Sequence, residues 1–352
     1  MGLSTVHAPP LVVRRILRIV WPVLGLLATI IALPLFVIGA LWSVVDRRAR
    51  LFRLTGLCLI GVWLDIQLLH RCWRLQLADP HGTGPTWRSD HEKLLVDVLD
   101  TAMLAGKRWA GFEVRLDTVM DLGDADRPLI AFSRHAGPAD SLAVAWLLSR
   151  TGGRLPRIVL ANALRWDPGI DLILTRLGSH FVPSLSGAGD DRSRALESFA
   201  QSLESRDALL LFPEGENWTP FRRSALIERL RERGLALRLR QAERLRHVLP
   251  PKTKGVVATL MSRPDADVMI VAHAGFGRLT SPGEIYRAIP FHNRPFLVRT
   301  WTYAAADLPR DPVAIENWLS EQWQVIDEWI GGHEGPQAEG KANTAEGTAN
   351  TA

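Results

Sequence analysis

Ile19 to Val45 contains no charged residue. That run exceeds the roughly 20 apolar residues that a helix needs to cross a bilayer. Pro22 and Pro34 interrupt it, and Gly25 and Gly39 loosen it. The pattern therefore admits one kinked helix, or two half-helices that dip in and return. Arg14, Arg15 and Arg18 flank the run on one side; Arg47, Arg48, Arg50 and Arg53 flank it on the other, so charge does not set an orientation. Leu54 to Leu69 is a second apolar stretch, broken by Asp65 and Gln67. It predicts an interfacial helix with Trp63 and Trp73 near the headgroups. Trp21 and Trp42 suit the same aromatic belt.

The pattern changes after Asp79 to Thr86, a Pro/Gly linker. Glu92 to Lys107 places Leu95, Val98, Leu99 and Ala102 at helical spacing. Strands are predicted at Phe112 to Val119, Leu129 to Phe132, Arg157 to Leu160, Phe181-Val182, Ala208 to Phe212, Val268 to Ala272 and Phe296 to Tyr303. Helices are predicted between them at Ser141 to Ser149, Pro168 to Leu177 and Arg192 to Leu203. Arg222 to Leu249 reads as one long charged helix bent at Gly234, and Pro312 to Ile330 as a final amphipathic helix. The division is a membrane-anchoring helical region over 1–78, a linker over 79–86, a folded domain over 87–330 and a disordered tail over 331–352. Alternating strands and helices predict an α/β fold, a central sheet covered by helices, with sites at the loops beyond strand ends.

Charge and composition narrow the partners. The chain of 352 residues carries a formal charge of +5, with 22% charged and 47% hydrophobic residues. This favours an anionic partner such as a membrane surface or a phosphorylated substrate. Between Arg222 and Arg246 stand nine arginines against three glutamates, a face suited to anionic lipid or to CoA phosphates. Nucleic acid is excluded as a partner, because a membrane segment precedes this face and no recognised nucleic-acid motif accompanies it. The two cysteines, Cys58 and Cys72, have no neighbouring His or Cys cluster and read as buried thiols; no metal site or cofactor motif is legible.

Two short motifs carry the chemistry. Ser133 to Asp140 holds His135 and Asp140 five positions apart, with Gly137-Pro138 turning the chain between them. An imidazole can take and return a proton near neutrality. A carboxylate on one ring nitrogen fixes the other as acceptor, which suits activation of a substrate hydroxyl. Phe212-Pro213-Glu214-Gly215 follows three leucines, so Glu214 emerges at a strand end and Gly215 permits close backbone approach. A carboxylate there could bind substrate hydroxyls.

In this order and separation, the motifs resemble the glycerolipid acyltransferase family, which includes the 1-acylglycerol-3-phosphate acyltransferases. The resemblance spans roughly residues 115 to 330 and includes Leu249 to Gly255, which is similar to the lysophospholipid and lysocardiolipin acyltransferase branch. It implies a mixed sheet flanked by helices, with His135 as general base and Asp140 as its orienting partner. It implies that Glu214 and Gly215 contact the acceptor, a lysophospholipid such as 1-acyl-sn-glycerol-3-phosphate. The donor would be acyl-CoA or acyl carrier protein, a co-substrate rather than a cofactor. The setting would be a phospholipid membrane, the inner or cytoplasmic one, with the catalytic domain on its cytoplasmic side.

The chain departs from the family pattern around the phosphate. Arg134 stands where Asn usually precedes the His, Ser184 where an Arg usually binds the phosphate, and Glu216-Asn217 where Thr or Ser followed by Arg is common. Arg134, Arg165 and Arg192 are the candidate replacements, with Arg194 beside them. An acceptor bearing a headgroup or a sugar, a non-catalytic lipid-binding scaffold and a His/Asp ester hydrolase stand as alternatives.

Overall fold

A computed structural model describes residues 7–182, 189–277, 279 and 281–334. The seven-stranded sheet has the order β1-β7-β6-β2-β5-β3-β4. The strands are β1 (Val114–Leu116), β2 (Leu129–Ser133), β3 (Leu155–Ala161), β4 (His180–Val182), β5 (Asp207–Leu211), β6 (Asp267–Ala274) and β7 (Phe296–Tyr303). All neighbours pair in parallel except β6 and β7, which run antiparallel, so the sheet is mixed as expected.

The central strands are apolar on both faces because both are covered. Leu129, Ala131, Leu210 and Met269 point to one side, into a core shared with α2 (Arg50–Ala78), α3 (Trp87–Ala105), α4 (Pro138–Arg150) and α5 (Pro168–Arg176). Ile130, Phe132, Leu209 and Ile270 point to the other. There they meet α6 (Gly189–Gln201), α9 (Thr253–Ser262) and α11 (Pro312–Glu334), whose Trp323 is fully buried. The period-two alternation of a strand divides one sequence run between two cores.

The N-terminal region is a helical hairpin. α1 (Leu11–Trp42) is continuous through Pro22 and Pro34, and the chain returns in α2 rather than within the first run. α2 has 29 residues, longer than the predicted interfacial helix, and its second half is core: Leu68, Leu69 and Cys72 are buried against the sheet layer. Trp73 packs on that core too, and the Trp21 indole packs there while donating to Asp65, so neither belongs to an aromatic belt. Trp42 and Trp63 remain exposed. Cys58 is exposed, contrary to expectation, and both thiols are free. The outer face of α1 is apolar and open from Leu11 to Trp42.

The helix predicted over 222–249 is two. Gly234 adopts φ +65°, its N–H donates to Arg231 O at 3.1 Å, and Leu235 N–H donates to Leu230 O at 3.1 Å. These bonds form a Schellman cap that ends α7 (Pro220–Glu232). The chain folds back as α8 (Ala236–Arg244), where Arg223 Nε donates to Leu245 O at 2.6 Å. The 79–86 segment forms turns around Asp79, which accepts from Gly82 and Gly84. α11 continues past the predicted end to Glu334, and the rest of the predicted tail, 335–352, lies outside the described residues.

Small residues set the spacing within the hairpin. A Cβ at Gly39 would lie 2.7 Å from the backbone N of Phe52, so a side chain there must displace backbone. Gly39→Leu is therefore expected to part the helices and to cost about 1–3 kcal/mol, seen as a lower unfolding midpoint in detergent. Gly61→Leu, inside α2 where nothing lies within 4 Å, should not lower that midpoint.

Candidate active site

Three adjacent strands, β6, β2 and β5, end side by side and deliver the site. β2 leads into the His135 loop and then α4, with Gly137 as N-cap and Pro138 at the first turn. Asp140 is the third helical residue, and its carboxylate turns back over the helix start. Oδ2 accepts from Ala136 N at 2.6 Å and Gly137 N at 2.9 Å, and Oδ1 from Ser141 N at 3.2 Å. The same Oδ2 lies 3.2 Å from His135 Nδ1. Burial opposes the charge on Asp140, but the hydrogen bonds from two histidines, His135 and His273, outweigh it and hold the carboxyl well below the usual range. The positive end of α4 acts in the same direction. The predicted pair is thus assembled, with the His135 ring packed on Phe212 at 4.5 Å between centroids.

Asp140 has a second imidazole that sequence reasoning missed. His273 Nε2 on β6 stands 3.3 Å from Oδ2 and 3.2 Å from the Arg134 carbonyl oxygen. The signal was a lone His inside Asp267–Ala274, a strand otherwise apolar after its first residue and buried throughout. Such a histidine reads first as a satisfied core residue. Burial pushes its pKa down against the pull of Asp140.

Glu214 sits deeper than expected. It lines the cavity in front of His135, but its side chain is buried (2% exposed), accepting from His135 N at 2.9 Å and Leu249 N at 2.7 Å. It joins the His135 loop to the 249–252 loop. Burial pushes this carboxyl up to about 8, against the two amide donors and Arg134. Gly215 has φ +70°, a conformation that favours glycine, and a Cβ there would lie 2.6 Å from Lys252 Nζ, so a side chain would also displace the tip of that lysine.

Arg134 is also not where a substrate would find it. The side chain is fully buried and donates to His273 O at 2.6 Å and His247 O at 3.0 Å, with Glu334 at 3.8 Å. It is a strut between β6, the 247 loop and α11. Asp327 on α11 completes the brace, accepting from Arg246, His247 and Val248 N–H groups. Arg165 stands apart from the cleft, stacked on Phe181 and paired with Asp171, which also holds Arg14 and Arg18. Ser184 lies outside the described residues.

A cleft of about 1000 Å³ opens in front of His135. Arg192 and Lys252 line it, as do Leu226, Leu230 and Leu237 from the α7–α8 hairpin. Burial depresses the Lys252 pKa first; Glu216 opposes this, while Arg192 and Arg229 add repulsion. Cations therefore converge beside Gly215, and apolar side chains face them.

Residues 115–274 match the family model described as Acyltransferase. The matched segment is an acyltransferase-family domain. The fold of this acyltransferase is similar to the crystal structure of the 1-acyl-sn-glycerophosphate (LPA) acyltransferase PlsC from Thermotoga maritima. The TM-score is 0.50 at 12% identity, over 88% of this chain and 99% of that one. No curated protein sequence matches the acyltransferase.

The shifted Glu214 has a consequence for stability. Its folded pKa lies above the unfolded value near 4.5, so the folded state holds a proton that the unfolded state releases. The stability this contributes is full below pH 4.5 and is lost as pH rises through about 8. In denaturant titrations, the difference in unfolding free energy between wild type and Glu214→Gln should therefore move steadily in favour of Gln across that window.

Proposed function

We propose that this acyltransferase moves a fatty acyl group from a thioester, acyl-CoA or acyl carrier protein, to the free hydroxyl of a lysophospholipid. The foremost acceptor is 1-acyl-sn-glycerol-3-phosphate, giving phosphatidic acid. The observation that carries the reading is His135 at the wall of an apolar, cation-edged cleft with Asp140 behind its ring.

The chemistry follows from the tautomer. Asp140 holds the proton on Nδ1, which leaves Nε2 as the base. Nε2 takes the acceptor hydroxyl proton as that oxygen attacks the thioester carbonyl. The C–O bond forms, the tetrahedral oxyanion collapses, and the C–S bond breaks. The imidazolium returns its proton to the departing thiolate. No protein nucleophile is required. Lys252 and Arg192 are the groups proposed for the acceptor phosphate; Gly215 brings backbone close to it. The Ser184 position, where a phosphate-binding Arg is usual, favours as second reading an acceptor whose phosphate carries a headgroup.

The open apolar face of α1 supports a lipid setting. Both helices lie along the domain: α1 reaches Asp171 through Arg14 and Arg18 and Trp109 through Phe36, and α2 reaches Gly169 through Asp65 and Trp109 through Arg53. This favours a hairpin lying in one leaflet over a hairpin that crosses the bilayer. Arg14, Arg18 and Arg165 share one buried carboxylate and leave excess positive charge beside that face, suited to anionic headgroups. A cytoplasmic orientation accords with a CoA or carrier-protein donor.

With labelled acyl-CoA and lysophosphatidic acid, His135→Ala should lower turnover by about 10²–10⁴-fold in folded protein; retained turnover would sink the mechanism. Lys252→Met should raise the acceptor KM about tenfold with kcat little changed, as expected for a lost charged hydrogen bond. The same panel run with headgroup-bearing lysolipids decides the acceptor. In vesicle flotation the full chain should float, and serine at Ile19, Ile30 and Ile31 together should release it.

A further inference from the structure

We propose that His273 is a positioning residue: it shares Asp140 with His135 and so sets the basicity of the His135 ring. The inference rests on reading His135 as the base, and deepens it.

The geometry is specific. His273 is 2% exposed, at the end of β6, with its ring stacked on Phe296 at 4.7 Å between centroids. Its Nε2 has two acceptors in reach, Asp140 Oδ2 at 3.3 Å and Arg134 O at 3.2 Å. The hydrogen-bond network therefore assigns the proton to Nε2. One N–H ties the carboxylate of α4 to the carbonyl that immediately precedes His135. This fixes the separation between Asp140 and the loop from which His135 projects.

The second effect is electronic. Asp140 Oδ2 already accepts from Ala136 N and Gly137 N and faces His135 Nδ1. A further donor drains the same oxygen. The carboxylate then stabilises the His135 imidazolium less, and the ring remains an unprotonated base to lower pH. The charged and titratable groups facing this centre are Arg134 from the end of β2 and Glu214 from the end of β5. Beyond Arg134 stand His247 and Glu334. His273 does not line the cleft and its Nε2 is turned on two acceptors, so the buried ring acts as a fixed donor and not as a second base.

Two substitutions separate this role from a merely structural one. In His273→Gln the amide nitrogen stands near the position of Nε2 and keeps the donor. His273→Leu fills similar volume and has none. Circular dichroism checks folding, and His273→Asn, whose amide is too short to reach Asp140, replaces the Leu variant if that one does not fold. In the full-length protein, loss of the donor should raise the acid limb of kcat/KM by about one pH unit, the ordinary size of a neighbour's effect. It should lower plateau kcat about tenfold while both KM values hold, and Gln should restore both. An unmoved acid limb in the donor-less variant, or a Gln variant that behaves like Leu, would overturn the proposal. NMR titration of the His135 ring, assigned through His135→Ala, gives a readout free of activity. The ring pKa should rise without the donor, and a constant value overturns the proposal. If His135→Ala keeps its turnover, the reaction reading fails, while this titration still tests the coupling of the two rings.

Discussion

One buried carboxylate organises the catalytic end of the sheet. Asp140 satisfies the free N–H groups at the start of α4, holds His135 by Nδ1 and meets His273 from the neighbouring strand. Unpaired, a carboxylate at that depth would be protonated or expelled. Surrounded by donors it stays charged, and every donor is thereby fixed in place. The reactive ring is consequently held from behind while its outer edge faces the cleft.

A second set of buried polar side chains carries this rigidity outward. Glu214 ties the His135 backbone to Leu249; Asp327 gathers the amides of 246–248; Arg134 joins the carbonyls of His247 and His273. Apart from the His273 carbonyl at the end of β6, these side chains satisfy backbone groups of loops. The loops around the cleft are thus built to nearly the precision of secondary structure. Such support is what two reactants need in order to meet in a reactive orientation.

Much of this was legible in the chain. Two-faced apolar runs announced the central strands, and the β7 prediction, Phe296 to Tyr303, matches its observed bounds. His135 and Asp140 could be paired because the turn between them is local. What was hidden was tertiary. Arg134 and Glu214 sit in motifs that suggest ligand contact, yet both are turned inward by partners more than 30 residues away. His273, Asp327 and Glu334 carry no local signature, because their roles depend on which strand and helix ends become neighbours. The α7–α8 break was readable in principle: Gly234 inside a charged helical pattern is a C-cap signal as well as a bend. α2 reads from sequence as a shorter interfacial helix because Asp65 and Gln67 break the apolar run, and the Trp21 indole that meets Asp65 comes from another helix.

The braces from α11 also impose an order in time. Residues 327–334 leave the ribosome after every other part of the site, yet they hold the 246–248 amides and lie beside the Arg134 strut. A nascent chain that already displays His135 and Asp140 still lacks the clamps that shape the cleft. Synthesis therefore separates emergence of the N-terminal hairpin from maturation of the reactive centre, and the apolar helices are complete before the cleft is.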